Sequence, residues 1–209
     1  MPSVIQERLL RRFWRTSAGT KGVNSEWSVN EKVALEVGIG AALAGARTLV
    51  TMKHVGVNVA ADPLFTVAYT GIKGGLVIIT ADNPEMHSSQ NEQDNRHYAR
   101  AAKIPMLEPA DSAEAKEFTK IAFEMSEKYD TPVFIRTTTR IAHSMSLLEK
   151  GKRKELPVDG FVRNLRKYVM VPANARARHK FVEDRMERLS KDADLMKISQ
   201  SPPAEAGGN

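Results

Sequence analysis

From Ser28 onward, apolar residues recur at helical spacing, then at strand spacing, and the alternation repeats down the chain. Val33, Ala34, Val37, Ala41 and Ala44, interleaved with Gly38, Gly40 and Gly45, predict a helix over about Val29 to Ala44. Ser28-Val29-Asn30-Glu31 ahead of it has capping-box spacing, a hydroxyl with a glutamate three residues on. So many small residues let a neighbouring backbone approach closely, at roughly 1 kcal/mol per interior glycine relative to alanine. Thr48 to Met52 is an apolar run of strand length, and Asn58 to Tyr69 a second helix that Pro63 kinks or restarts. Gly71, Gly74 and Gly75 turn the chain into a second β-rich run, Leu76 to Thr80. A helix over about Gln90 to Ala102 and a short strand at Ile104–Leu107 come next. Ser112 to Tyr129 is amphipathic, with Asp111 or Ser112 as its cap, and Pro132 to Arg136 makes a fourth strand.

Strands separated by helices imply an α/β fold, a mostly parallel sheet with helices on both faces. The flanks differ. Residues 1–24 contain one short amphipathic stretch, IQERLLRRF, and read as an irregular extension, with an organelle-targeting peptide as the alternative. After Leu147 the charged segment Lys150 to Lys167, broken by Pro157 and Gly160, reads as a linker. It leads into a helical extension over Asn174 to Ala193 whose apolar side is expected to carry Phe181, Met186 and Leu189. Residues 199–209 end in SPPAEAGGN, a composition typical of disorder. The expected division is therefore 1–24, an α/β domain over 25–146, a linker and helix over 147–198, and a tail over 199–209.

Composition narrows the function classes. A chain that is 42% hydrophobic and 27% charged, without an apolar run of spanning length, is expected to be soluble and cytoplasmic, with no membrane partner. Cysteine is absent, which removes disulfides, thiolate metal sites and iron–sulfur ligation by this chain. Residues 1–22 hold five Lys/Arg against one acid, and residues 147–209 fourteen against nine, so the basic surplus sits at the ends and the middle is net acidic. Without a recognition motif or interleaved aromatics, that surplus does not argue for nucleic acid.

Ligands of open parallel sheets gather beyond the carboxyl ends of the strands. Three polar clusters fall there: Lys53-His54-Val55-Gly56, Asp82 to Asn95, and Thr137 to His143. Spacing alone makes Glu31 a helix cap. His54 and His87 could each orient a substrate or be loop histidines bonded to backbone. Ser88 to Asp94, which includes Gln90 and Asn91, reads either as N-capping in a wet loop or as the lining of a cleft. No His/Asp/Glu spacing makes a metal site.

The run EWSVNEKVALEVGIGAALAGARTLVTMKHVGVNVAADPL resembles the alpha subunits of indolepyruvate ferredoxin oxidoreductases, a branch of the thiamine diphosphate-dependent 2-oxoacid:ferredoxin oxidoreductases. The similarity continues through TADNPEMHSSQNEQDNRHYA and KIPMLEPADSAEAKEFTKIAFEMSEKYDTPVFIRTTTRIAHS to RKYVMVPANARARH, covering about Ser25 to Leu189. It implies a thiamine diphosphate-binding fold of the pyrimidine type, and oxidative decarboxylation of aryl pyruvates with coenzyme A and ferredoxin. In such enzymes a glutamate hydrogen-bonds the aminopyrimidine ring nitrogen, favouring the tautomer that activates the thiazolium carbon. On this sequence that glutamate falls at Glu31, with Glu36 the competitor. His54 and Asn91 become candidates for the cofactor side, and His87 and Gln90 for the substrate side. The resemblance also implies a beta subunit, and magnesium and diphosphate held by a domain outside this chain. Two departures stand out: no Gly-Tyr-Pro-Gly-Thr-Pro-like turn precedes Glu31, and no cysteine-rich domain follows. The chain is thus expected to be an N-terminally incomplete piece of a larger subunit, inactive by itself. The alternatives are a non-catalytic interaction module derived from the family, or the same region of another 2-oxoacid:ferredoxin oxidoreductase.

Overall fold

The computed structural model describes residues 17, 19–149, 151 and 156–195. The IQERLLRRF helix, with the targeting-peptide reading, and the SPPAEAGGN tail lie outside the described residues. In chain order the elements are α1 (Glu31–Leu43), β1 (Thr48–Lys53), α2 (His54–Val59), α3 (Ala61–Thr70) and β2 (Leu76–Asp82), then a 3₁₀ turn (Pro84–Met86) and α4 (Asn95–Ala102). They continue with β3 (Met106–Leu107), α5 (Ser112–Tyr129), β4 (Val133–Thr138), α6 (Thr139–His143), α7 (Leu165–Tyr168) and α8 (Pro172–Leu195).

The four strands form one sheet in the order β1-β2-β4-β3, every pairing parallel. In register, Val50 lies opposite Ile78, and Ile78 opposite Phe134. Alternation along each strand sends side chains to two cores, as both faces of a covered parallel sheet require. Val50, Met52, Ile78 and Phe134 pack with Leu35, Val57, Leu64, Val67 and Ala99 under α1 to α4. Val77, Val133 and Ile135 pack with Ala122, Met125 and Tyr129 of α5 on the other face. This is the expected α/β architecture with helices on both sides.

Local corrections have simple causes. α1 starts two residues later than the hydrophobic pattern suggests. Its cap is Asn30, whose side chain accepts from the Val33 amide at 2.9 Å, so the Ser28 capping box does not form. The predicted second helix is two helices broken at Ala60, and Pro63 sits in the first turn of α3, where its missing N–H costs nothing. α4 begins at Asn95 rather than Gln90 because the Asp94 side chain caps it through the Arg96 amide. Asp111, not Ser112, caps α5, accepting from Ala113 and Glu114.

The glycine stripe of α1 divides by environment. A Cβ at Gly38 would meet Val50 Cγ2 at 2.6 Å, whereas one at Gly40 would meet nothing within 4 Å. Gly40→Ala is therefore expected to raise stability by about 0.5–1 kcal/mol through helix propensity. Gly38→Ala is expected to lower it by about 1–3 kcal/mol through overpacking. Urea unfolding of both variants checks this; a stabilised Gly38→Ala would show that α1 and β1 are not in close contact.

α8 straps the amino-terminal side of the sheet. Arg178, Val182, Arg185, Leu189 and Asp192 recur at i, i+4, i+7, i+11 and i+14, one stripe of the helix. Val182, Arg185 and Leu189 are buried, while Phe181 and Met186 face outward, contrary to the expected apolar side. Arg185 makes the difference. It donates to the carbonyls of Ala68, inside α3, and of Lys103 and Asp130, just ahead of β3 and β4, so a cation sits where the pattern calls for a hydrophobe. Burial pushes its guanidinium down to about 10. Arg178 adds bonds to the Tyr69 carbonyl and the Asp130 carboxylate.

Candidate functional site

Because β1, β2 and β4 are parallel, their carboxyl ends open on one edge and carry the three polar clusters there together. α1 brings Glu31 to the same edge. Glu31 is the first residue of the helix, half-buried, and its side chain lies against Gly56 of α2. A Cβ at Gly56 would stand 2.5 Å from Glu31 Cγ and 3.0 Å from its Cδ and Oε1, so only glycine leaves room for the carboxylate there. Its carboxylate has no hydrogen bond or ion pair among the described residues, whereas the competitor, Glu36, faces outward on the helix.

Lys53 is the last residue of β1 and His54 the first of α2, and both are buried. Lys53 Nζ donates to the Ser88 carbonyl at 3.4 Å, and His54 Nε2 donates to the Asn91 carbonyl at 3.2 Å. A carbonyl only accepts, so Nε2 carries a proton, and Nδ1 is left buried without a hydrogen-bond partner among the described residues. Burial lowers the Lys53 ammonium from its ordinary value. Between them the two side chains pin the 88–91 segment over the end of β1.

The structure thus joins Glu31 to α2, and α2 to Asn91 through His54 and the Asn91 backbone. It does not bring in the other candidates. The Asn91 side chain is exposed and accepts from Gln93. His87 is exposed and lies 3.3 Å from Glu85, and Gln90 is exposed.

Sequence reasoning missed a buried polar lattice between β2 and β4. Asp82, buried at the end of β2, accepts from Arg136 Nε at 2.6 Å, Asn95 Nδ2 at 2.6 Å, the Asn95 amide at 3.2 Å and Thr80 Oγ1 at 2.9 Å. Arg136 also donates to Glu108 at 3.0 Å, and Asp94 lies 3.8 Å from it. A hydrogen bond from Arg96 holds the Asp94 carboxyl down to about 2. The stability this depression contributes is present above the ordinary carboxylate range and is lost as pH falls through about 2. Next to the lattice, Asn83 donates to Ser89 and accepts from Thr139, tying the loop after β2 to the first residue of α6. The missed signal was Arg136 inside an apolar strand, a charge that needs a buried acid opposite.

No group of three or more His, Cys, Asp or Glu among the described residues could hold a metal ion. No described helix is long and apolar enough to cross a membrane.

The pyruvate flavodoxin/ferredoxin oxidoreductase, thiamine diphosphate-binding family model matches residues 18–196. Among curated proteins, the chain is 51% identical over 180 residues to indolepyruvate oxidoreductase subunit IorA of Methanothermobacter thermautotrophicus. It is 49% identical over 168 residues to the subunit of the same name from Archaeoglobus fulgidus. These alignments cover 86% and 79% of this chain but only 29% and 27% of the relatives. Among solved structures, 2-oxoglutarate:ferredoxin oxidoreductase from Magnetococcus marinus superposes with a TM-score of 0.65, over 91% of this chain and 41% of that one. At 14% identity that likeness establishes a shared fold.

Proposed function

The chain belongs to the pyruvate flavodoxin/ferredoxin oxidoreductase, thiamine diphosphate-binding family, and from that premise we propose that it supplies the aminopyrimidine-facing half of a cofactor site. The enzyme would be a 2-oxoacid:ferredoxin oxidoreductase acting on aryl pyruvates such as indolepyruvate, with coenzyme A as acyl acceptor. The observation that carries this reading is the Glu31 carboxylate, seated on Gly56 at the carboxyl edge of a parallel sheet and without a described protein partner. A carboxylate kept free of protein bonds at a ligand-binding edge is available to a ring nitrogen.

Thiamine diphosphate, when bound, supplies the electron sink that 2-oxoacid decarboxylation needs. The chain's own residues have narrower tasks. Glu31 holds and returns a proton at the aminopyrimidine ring nitrogen, Gly56 leaves space for that carboxylate, and Lys53 and His54 keep the 88–91 segment closed over the edge. Magnesium and the diphosphate belong to a separate diphosphate-binding domain, and the iron–sulfur clusters to cysteines that this chain lacks. A beta subunit and ferredoxin complete the assembly.

The test is turnover by the full-length subunit carrying this region, assembled with its partner subunit. Indolepyruvate-dependent ferredoxin reduction is expected only with thiamine diphosphate, magnesium and coenzyme A present. The 209-residue chain alone, given the same mixture, is expected to show none. Cofactor-independent oxidation by the assembly, or turnover by the isolated chain, would sink the proposal.

A further inference from the structure

We propose that Lys53 is the cation that binds the carboxylate of the 2-oxoacid substrate, an inference that rests on the cofactor-site reading above.

Lys53 is only 5% exposed, yet no carboxylate among the described residues pairs with it. Its one hydrogen bond among the described residues is the long contact to the neutral Ser88 carbonyl. Buried ammonium groups normally carry an acid partner, because desolvation without compensation is costly. The chain pairs its other deeply placed cation at this edge, setting Arg136 against Asp82 and Glu108, but leaves Lys53 unneutralised. A position that keeps a buried positive charge uncompensated is suited to a ligand that brings the negative one.

Neighbouring groups favour the same assignment. His54, adjacent in the chain and fully buried, keeps Nδ1 unpartnered, so two consecutive side chains at the end of β1 hold unused polar capacity. Gly56, three residues beyond Lys53, carries the Glu31 carboxylate. Each keeps to its own contact, Glu31 against Gly56 and Lys53 on the Ser88 carbonyl, with no ion pair between them. A 2-oxoacid needs the same division: a cation for its carboxylate, and separately the proton-handling group that serves the cofactor. The lowered Lys53 ammonium agrees with a charge held out of water.

The test uses the assembled, cofactor-loaded enzyme with two unreactive probes, indole-3-propionate and its neutral amide. Lys53→Gln keeps a donor for Ser88 and removes the charge; Lys53→Arg restores it. For Lys53→Gln we expect indole-3-propionate to bind about 10- to 100-fold more weakly, the loss of one charge-assisted hydrogen bond, while the amide binds as before. The KM for indolepyruvate should rise by a similar factor, with kcat falling far less, and Lys53→Arg should recover most of the loss. Unchanged binding of indole-3-propionate overturns the proposal. Equal weakening of both probes, with a lower melting temperature, also overturns it, because the lysine would then only anchor the 88–91 segment. Glu31→Gln separates the two readings: if it leaves turnover intact, the cofactor assignment fails whatever the probes show.

Discussion

Glu31→Gln in the assembled enzyme is expected to lower kcat by about 10²- to 10⁴-fold, the range of a lost general acid–base group. Glutamine has nearly the shape of glutamate, so the seat on Gly56 survives and the fold should not change. What disappears is the ability to gain and release a proton at the proposed ring nitrogen. Cofactor affinity should fall much less than kcat, because the amide can still hydrogen-bond. Gly56→Ala gives an independent check: its methyl would stand 2.5 Å from Glu31 Cγ and must push the carboxylate aside. Both variants should therefore lose turnover, one by chemistry and one by displacement. Steady-state kinetics with a cofactor titration decide the matter, and a Glu31→Gln enzyme within about threefold of the parent would remove Glu31 from the mechanism.

Asp82→Ala should be the most destabilising substitution at the candidate site, at about 3–5 kcal/mol, because it strands a buried partner charge. Arg136 would lose the shortest of its three carboxylate contacts, 2.6 Å against 3.0 Å to Glu108 and 3.8 Å to Asp94. Thr80 and both Asn95 donors would lose their acceptor on the same carboxylate. Asp82→Asn should cost less, since an amide oxygen still accepts while the charge is gone. The loss should also reach function: with Asn95 of α4 left only its Thr80 contact to β2, the 83–94 loop over the site loosens. Chemical unfolding measures the first effect and the KM of the assembled enzyme the second. A cost below about 1 kcal/mol would mean that the lattice decorates the sheet edge rather than holding it.

The readable parts of the fold were those set by local rules. Strand runs such as Leu76 to Thr80 and the amphipathic α5 follow from side-chain periodicity and caps, and the structure has both. The small-residue pattern of α1 announced a close approach, which occurs at Gly38 but not at Gly40. The boundary of α1 was misplaced because the Ser28–Glu31 spacing mimics a capping box, whereas the backbone turns into the helix at Asn30. The face of α8 was misread because its burial is centred on an arginine bonded to three carbonyls from distant segments.

The candidate site divides in the same way. Glu31, the three polar clusters and the absence of cysteine are sequence facts, and with the long run of family-like residues they determined the fold class and the kind of chemistry to look for. Only the tertiary structure decided which of those residues meet. It seats Glu31 on Gly56, buries Lys53 without an acid partner among the described residues, turns His54 toward the Asn91 backbone, and leaves His87 and Gln90 in the open. The reason is physical: periodicity and capping act over a few residues, whereas desolvation and charge pairing depend on neighbours dozens of residues away. Asp82 and Arg136 stand 54 positions apart, and nothing local in either segment marks the other as its partner.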